Sequence, residues 1–189
     1  MGKVNLIDLL HAMTITIDSR EKVNSHITTF LDSNRTQYQV KKLDFGDYSA
    51  TLNYAGYEID LSTKVVIERK ASLDELAINV TKDRGRFERE FKRCQEQYAK
   101  IFLMIENSSW SDIIHHNYRS QLNPKSFIAT LLSWQYKYNI TISFVPSETS
   151  GMYVQGTLYY AMRDYILYQQ EDKVKKAREC FKQIFPEFF

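Results

Sequence analysis

VVIERKASLDEL, residues 65–76, runs three branched apolar residues into three consecutive charges and then into the start of a helix. Val65, Val66 and Ile67 read as a strand bound for a core. Along a strand, residues two apart share a face, so Glu68 and Lys70 point one way and Arg69 the other. Ser72 to Glu75 then fits a capping box. The Ser72 hydroxyl takes the N–H of Glu75, and the Glu75 carboxylate reaches back to the N–H of Ser72. An acid and a base thus share one face at the end of an apolar strand. That is either a surface ion pair or a site.

Working outward, Thr14 to Asp18 alternates branched residues as a first strand, and Lys22 to Ser33 has helical spacing in Val23, Ile27, Phe30 and Leu31. Strands follow at 38–43 and, after Gly46, at 48–54. Ala55-Gly56 is a turn into an extended piece at 57–61, and the strand before the ERK triplet starts at Lys64. A helix from Arg84 to Tyr98 carries Phe87, Phe91 and Tyr98 on one side. KIFLMIE, 100–106, is a near-continuous apolar run and reads as a strand buried on both faces. Asn123-Pro124 opens a helix to Tyr138. A strand at 140–145 and a helix at 157–168 complete the pattern. Helices alternate with strands around a first-half meander, which predicts an α/β or α+β sandwich of helices on a mixed sheet. The expected layout is an N-terminal extension at 1–12, one domain at 13–170, and a charged helix and tail at 171–189. Met13 is a candidate alternative start, with residues 1–12 a short amphipathic helix packing on the domain.

The chain has 189 residues, enough for one core, and 43% of them are hydrophobic. A net charge of +2 is too small to argue for nucleic acid by itself, so local clustering must carry any such reading. Cys94 and Cys180 form neither a disulfide framework nor a zinc motif and read as reduced thiols of a cytoplasmic protein. No apolar run approaches a membrane span, and the first residues do not form a signal peptide.

Gly46-Asp47-Tyr48 supplies the second piece of the site. If its strand is the antiparallel neighbour of the ERK strand, Asp47 and Glu68 meet. Two converging carboxylates and an ammonium suit a hard cation such as Mg²⁺, or Mn²⁺ in its place, and an anionic phosphoryl group. The lysine would orient or deprotonate a water and stabilise negative charge in the transition state. Asp18 and Glu21, after the first strand, could extend the acidic site. Asp74 has a competing explanation, because acids are favoured in a helix's first turn. His115-His116 lacks metal spacing, and Glu106, closing its strand, is expected at the surface.

IDSRE (17–21), LDFGDY (43–48), VVIERKASLDEL (65–76) and the Arg84/Arg86 region fall in one order that resembles the XPF-type nuclease domain family of the PD-(D/E)XK superfamily. The resemblance covers about residues 14–165. It implies a restriction-endonuclease-like central mixed β-sheet flanked by helices, and a metal-dependent DNA endonuclease. It implies Asp47 and Glu68 as metal ligands with the Arg69 carbonyl as a further one, and Lys70 as the catalytic lysine. Asp18, Arg20 and Glu21 match the family's D-x-R-E element, Asp74 the acid of its ERK-x3-D signature, and Arg86 its downstream basic residue. Tandem helix-hairpin-helix motifs and a nucleotide-binding glycine loop are not found, so the chain is more similar to small stand-alone bacterial and phage members. The family implies flap, fork or other branched DNA as substrate and a homodimer through the nuclease domain. Tyr159, Tyr160, Ile166 and Tyr168 are candidates for that surface or for the core.

Between 82 and 93, six cations face three acids. Arg86, Arg89 and Arg93 recur at helical spacing as a stripe that, with Arg20, Arg69 and Arg84, could contact phosphates. The alternative is a solvated face with pairs such as Arg84–Glu88 and Arg86–Glu90. The competing functional reading is a catalytically silent DNA-binding or scaffold subunit; intact Asp47, Glu68 and Lys70 argue for the enzyme. A different PD-(D/E)XK nuclease is a third reading, and the intact ERK-x3-D signature argues against it.

Overall fold

A computed structural model describes residues 5–184, and the side chains of all these except 170 and 173–184. Seven strands form one mixed sheet: β1 (Met13–Ile17), β2 (Tyr38–Val40), β3 (Tyr48–Tyr54), β4 (Tyr57–Asp60), β5 (Val65–Lys70), β6 (Lys100–Glu106) and β7 (Ile140–Val145). The order is β2-β1-β3-β5-β6-β7, with β4 hairpinned onto β3. Ala55 and Gly56 both have positive φ, 51° and 82°, as a tight two-residue hairpin turn needs. β1 runs antiparallel to β3, and β3 antiparallel to β5, while β5, β6 and β7 are mutually parallel. The expected α/β class and central mixed sheet flanked by helices are what the chain forms.

The parallel half follows from its connections. Parallel strands need long crossovers, here helices α3 (Leu73–Val80) and α4 (Arg84–Glu96), then α5 (Trp110–Ile114) and α6 (Pro124–Tyr138). These lie on one face with Val66, Ile101, Leu103, Ile105, Phe87, Phe91 and Trp134. The other face is covered by helices α1 (Leu6–His11), α2 (Ser25–Ser33) and α7 (Ser150–Ile184), packed on Ile15, Ile17, Tyr48, Ile67 and Met104. Within β5, Val66, Glu68 and Lys70 therefore face α3 and α4, while Ile67 and Arg69 face α2 and α7.

Several expectations are corrected. Val23 precedes its helix and is exposed, and Tyr98 is 94% exposed with positive φ just past the end of α4, so Cys94 takes its place on the buried side. The last helix spans Ser150–Ile184, far beyond 157–168. Within it Ile166 is core, whereas Tyr160 and Tyr168 are exposed. The short N-terminal helix packs on the domain as expected, with Leu9 and Leu10 of α1 buried in the second core. Cys94 is free and buried, and the side chain of Cys180 lies outside the described ones. Among the described residues no helix is long and apolar enough to cross a membrane.

Gly151, in the first turn of α7, shows how tightly that helix seats on α2. A Cβ there would stand 2.4 Å from the Phe30 Cβ, an atom that no rotamer change moves, and 2.6 Å from its Cγ. Gly151→Ala is therefore expected to cost about 2 kcal/mol by overpacking, lowering the melting temperature by roughly 4–8 °C. Thermal denaturation of the two proteins checks it; an unchanged midpoint would contradict this packing.

Candidate active site

Gly46 places Asp47. Its φ of 71° lies in the left-handed region, and a Cβ would meet the Val66 Cβ at 2.8 Å. Only glycine satisfies both demands at once. The turn delivers Asp47 beside β5: its N–H donates to the Ile67 carbonyl at 2.8 Å, and its Oδ2 accepts the Arg69 N–H at 2.8 Å. A strand residue's N–H and C=O point to the same edge, so the Arg69 carbonyl also faces the side where Asp47 sits. The antiparallel pairing of Tyr48 with Ile67 makes the two acids meet as the sequence predicts.

Lys70 lies across the same face. Its Nζ donates to Glu68 Oε1 at 2.6 Å, stands 3.6 Å from Glu75 Oε1, and sits 5.0 Å from the centre of the Phe87 ring. Burial alone would favour the neutral amine, but the charges of Glu68 and Asp47 outweigh it and hold the ammonium above the ordinary lysine range. Asp47 is driven toward its neutral form. Burial, then the Glu68 charge, push its carboxyl well above the usual carboxylate range despite Lys70 nearby. Among the described residues, Asp47 and Glu68 each keep one oxygen outside any hydrogen bond. Two under-compensated carboxylates fit a hard divalent cation, which would relieve their repulsion. Among the described residues no third His, Cys, Asp or Glu joins such a set, which suits a cation that keeps waters and takes phosphate oxygens.

Behind the strand lies a second network, which leaves the buried Arg69 Nε without a hydrogen bond. Arg69 donates to Glu21 at 3.0 Å and to Glu106 at 2.6 Å, and His26 meets Glu106 at 2.8 Å. Arg69 is 7% exposed, so its side chain does not reach phosphates as expected from sequence; its charge is spent on two carboxylates. Glu106 is 2% exposed rather than at the surface. Its position at the end of a doubly buried strand was the available signal. His26 carried none, because it is isolated in sequence. Glu21 joins this network from the turn after β1, and burial raises its carboxyl despite Arg69.

Burial opposes ionisation of Glu106, but bonds from Arg69, Ser150 and His26 dominate and bring its pKa to about 2. A depressed folded value means stability that is present above the ordinary carboxylate pKa of 4.5 and lost as pH falls toward 2. Glu106→Gln is expected to cost about 3 kcal/mol at neutral pH by leaving Arg69 under-compensated. The gap to wild type should narrow from pH 4.5 downward. Urea denaturation at several pH values checks both; a constant gap would contradict the assignment.

Asp18 is fully buried and saturated. Its oxygens accept from the Arg20 N–H, the Arg20 guanidinium twice and the Leu43 N–H. It does not turn toward Asp47 and Glu68 as an extra acid; it clamps Arg20, whose side chain is 60% exposed and within electrostatic reach of Asp47 and of Glu90 on α4. Asp74 is likewise occupied, holding the N–H and guanidinium of Arg119 at 2.7 and 2.8 Å. It stands in the first turn of α3, where the helix-start reading puts it. On α4, Arg84 pairs with Glu88 and Arg86 with Asp83 rather than Glu90, while among the described residues Arg89 and Arg93 have no ion-pair partner. Arg86, Arg89, Lys92 and Arg93 line one surface groove together with Glu90 and Glu96.

The ERCC4 domain family matches residues 17–155 of this chain. No curated protein matches its sequence. Among solved structures, XPF from Aeropyrum pernix is similar at a TM-score of 0.58 and 21% identity, over 78% of this chain and 61% of that one. XPF from Aeropyrum pernix in complex with DNA is similar at 0.57 and 21%, over 80% of this chain and 66% of that one. At such identity the likeness concerns the fold, and the chain spans under two thirds of those relatives.

Proposed function

Since the chain belongs to the ERCC4 domain family, we propose that it is a divalent-metal-dependent DNA endonuclease that hydrolyses phosphodiester bonds. The observation that carries this is the meeting of Asp47, Glu68 and Lys70 on one face of β5, with Lys70 2.6 Å from Glu68. Asp47, Glu68 and the Arg69 carbonyl would hold Mg²⁺ or Mn²⁺. That ion, when bound, activates a water and neutralises charge developing on the phosphoryl group. Lys70, held protonated, orients the attacking water by donating to it and stabilises the transition-state charge. Arg20, locked by Asp18, and Arg89 and Arg93, which have no ion-pair partner among the described residues, supply cations for the flanking phosphates. The DNA-bound similar structure supports DNA as the partner, and branched DNA is the proposed substrate because the family resemblance of the sequence motifs implies it.

Labelled flap, fork, nicked, linear duplex and single-stranded DNA, incubated with Mg²⁺, Mn²⁺ or EDTA, test the proposal. Metal-dependent cutting with preference for a branch is expected. Binding without cutting on every substrate would replace it with a scaffold role.

A further inference from the structure

Glu75 stands outside every role assigned so far except a helix cap, yet its carboxylate spans two partners. Oε2 accepts the Ala71 N–H at 2.9 Å, and its own N–H bonds the Ser72 hydroxyl at 3.3 Å. The sequence placed that first bond one residue later, on Ser72. Accepting at Ala71 brings the side chain back over the end of β5, and Oε1 is left 3.6 Å from the Lys70 ammonium. Among the described residues only Glu68 and Glu75 pair with Lys70. The two pairs are unequal: the Glu68 contact is 2.6 Å and closed, the Glu75 contact long and unfilled by a hydrogen bond. Lys70 is 7% exposed with Phe87 beside it, so its charge cannot simply retreat into water.

We infer that Glu75 is a positioning residue for Lys70, taking over its ammonium when Glu68 commits its charge to a divalent cation. The inference rests on the metal reading of Asp47 and Glu68 given above. Glu68 cannot fully serve two cations. A metal ion on the open Glu68 oxygen and an ammonium on the other repel each other, and a second anion beside Lys70 offsets that repulsion. Glu75 is anchored at the helix start, so it offers that anion at a fixed place with little ordering cost. Asp74, the signature's acid, cannot do so while it holds Arg119.

The test is Mn²⁺ binding to the full chain, followed by loss of the free-ion electron paramagnetic resonance signal, for wild type, Glu75→Gln, Lys70→Met and the double variant. Glutamine can still accept the Ala71 N–H, so the melting temperature in EDTA should stay within about 2 °C of wild type. Glu75→Gln is expected to weaken Mn²⁺ binding roughly tenfold, the low end for a residue outside the ligand set. The Mn²⁺ concentration for half-maximal cleavage should rise by the same factor. In the Lys70→Met background, Glu75→Gln should change the affinity less than about twofold, because the repelling ammonium is gone. Equal losses in both backgrounds would reduce Glu75 to a distant charge and overturn the inference. Unchanged affinity in Glu75→Gln beside a binding wild type would overturn it while leaving the metal reading intact. A wild type that binds no Mn²⁺ would remove the metal reading and this inference with it.

Discussion

Lys70→Ala is expected to lower the DNA cleavage rate by at least about a thousandfold, the size of a lost charge stabiliser or proton-transfer group at a reacting phosphoryl centre. The geometry also predicts what else changes. Without Lys70, Glu68 loses its 2.6 Å partner and Asp47 loses the positive charge that partly offsets its burial. The metal-free variant should therefore melt lower, by about 3 kcal/mol or roughly 6–12 °C. An added divalent cation would replace the missing charge between the two carboxylates. Mg²⁺ or Mn²⁺ should then raise the variant's melting temperature more than the wild type's, without restoring cutting. Side-by-side melts and cleavage time courses, with and without metal, check both halves. A variant that cuts at wild-type rates would remove Lys70 from the chemistry. One that melts lower but is not rescued by metal would place the ion elsewhere.

The division between what the residues announced and what they hid follows strand geometry. Period-two alternation puts Glu68 and Lys70 on one face and Arg69 on the other, and both placements hold. The meeting of Asp47 with β5 required only that the two strands be antiparallel neighbours. Gly46 marked the turn, although its close approach to Val66 emerges only in three dimensions. The fates of Asp18, Asp74 and Arg69 were not legible. Each depends on partners supplied by segments distant in sequence or by a local turn: Leu43 and Arg20 for Asp18, Arg119 for Asp74, Glu21 and Glu106 for Arg69. A charged residue's type says that it needs a partner when buried. It does not say whether a distant loop will provide one. His26 and Glu106 come together across 80 positions through the packing of α2 beside the end of β6, which no local pattern encodes.

Asp47→Asn should separate stability from function most sharply. Asp47 is a carboxylate whose folded form resists ionisation because of burial and the neighbouring Glu68 charge. A folded pKa above the unfolded value contributes stability that is fully present at low pH and is lost as pH rises through the folded value. The wild type therefore carries a penalty that grows from just above the ordinary carboxylate value of 3.8 toward neutral pH. Asparagine removes it. Its carbonyl oxygen can keep the bond from the Arg69 N–H, and its amide can donate toward Glu68. Without metal, Asp47→Asn is expected to be more stable than wild type at pH 8 by about 1 kcal/mol, or roughly 2–4 °C, with the difference shrinking at pH 4. Cleavage should nonetheless fall below detection, and Mn²⁺ should raise the melting temperature of wild type but scarcely that of the variant. The repulsion that opposes folding in the metal-free chain is the same feature that attracts the ion, and binding returns stability only to the chain that retains both charges. Melting curves at pH 4 and pH 8, with EDTA or Mn²⁺, decide the matter. A less stable Asp47→Asn at pH 8, or an equal response to Mn²⁺ in both proteins, would mean that Asp47 holds the turn and not the ion.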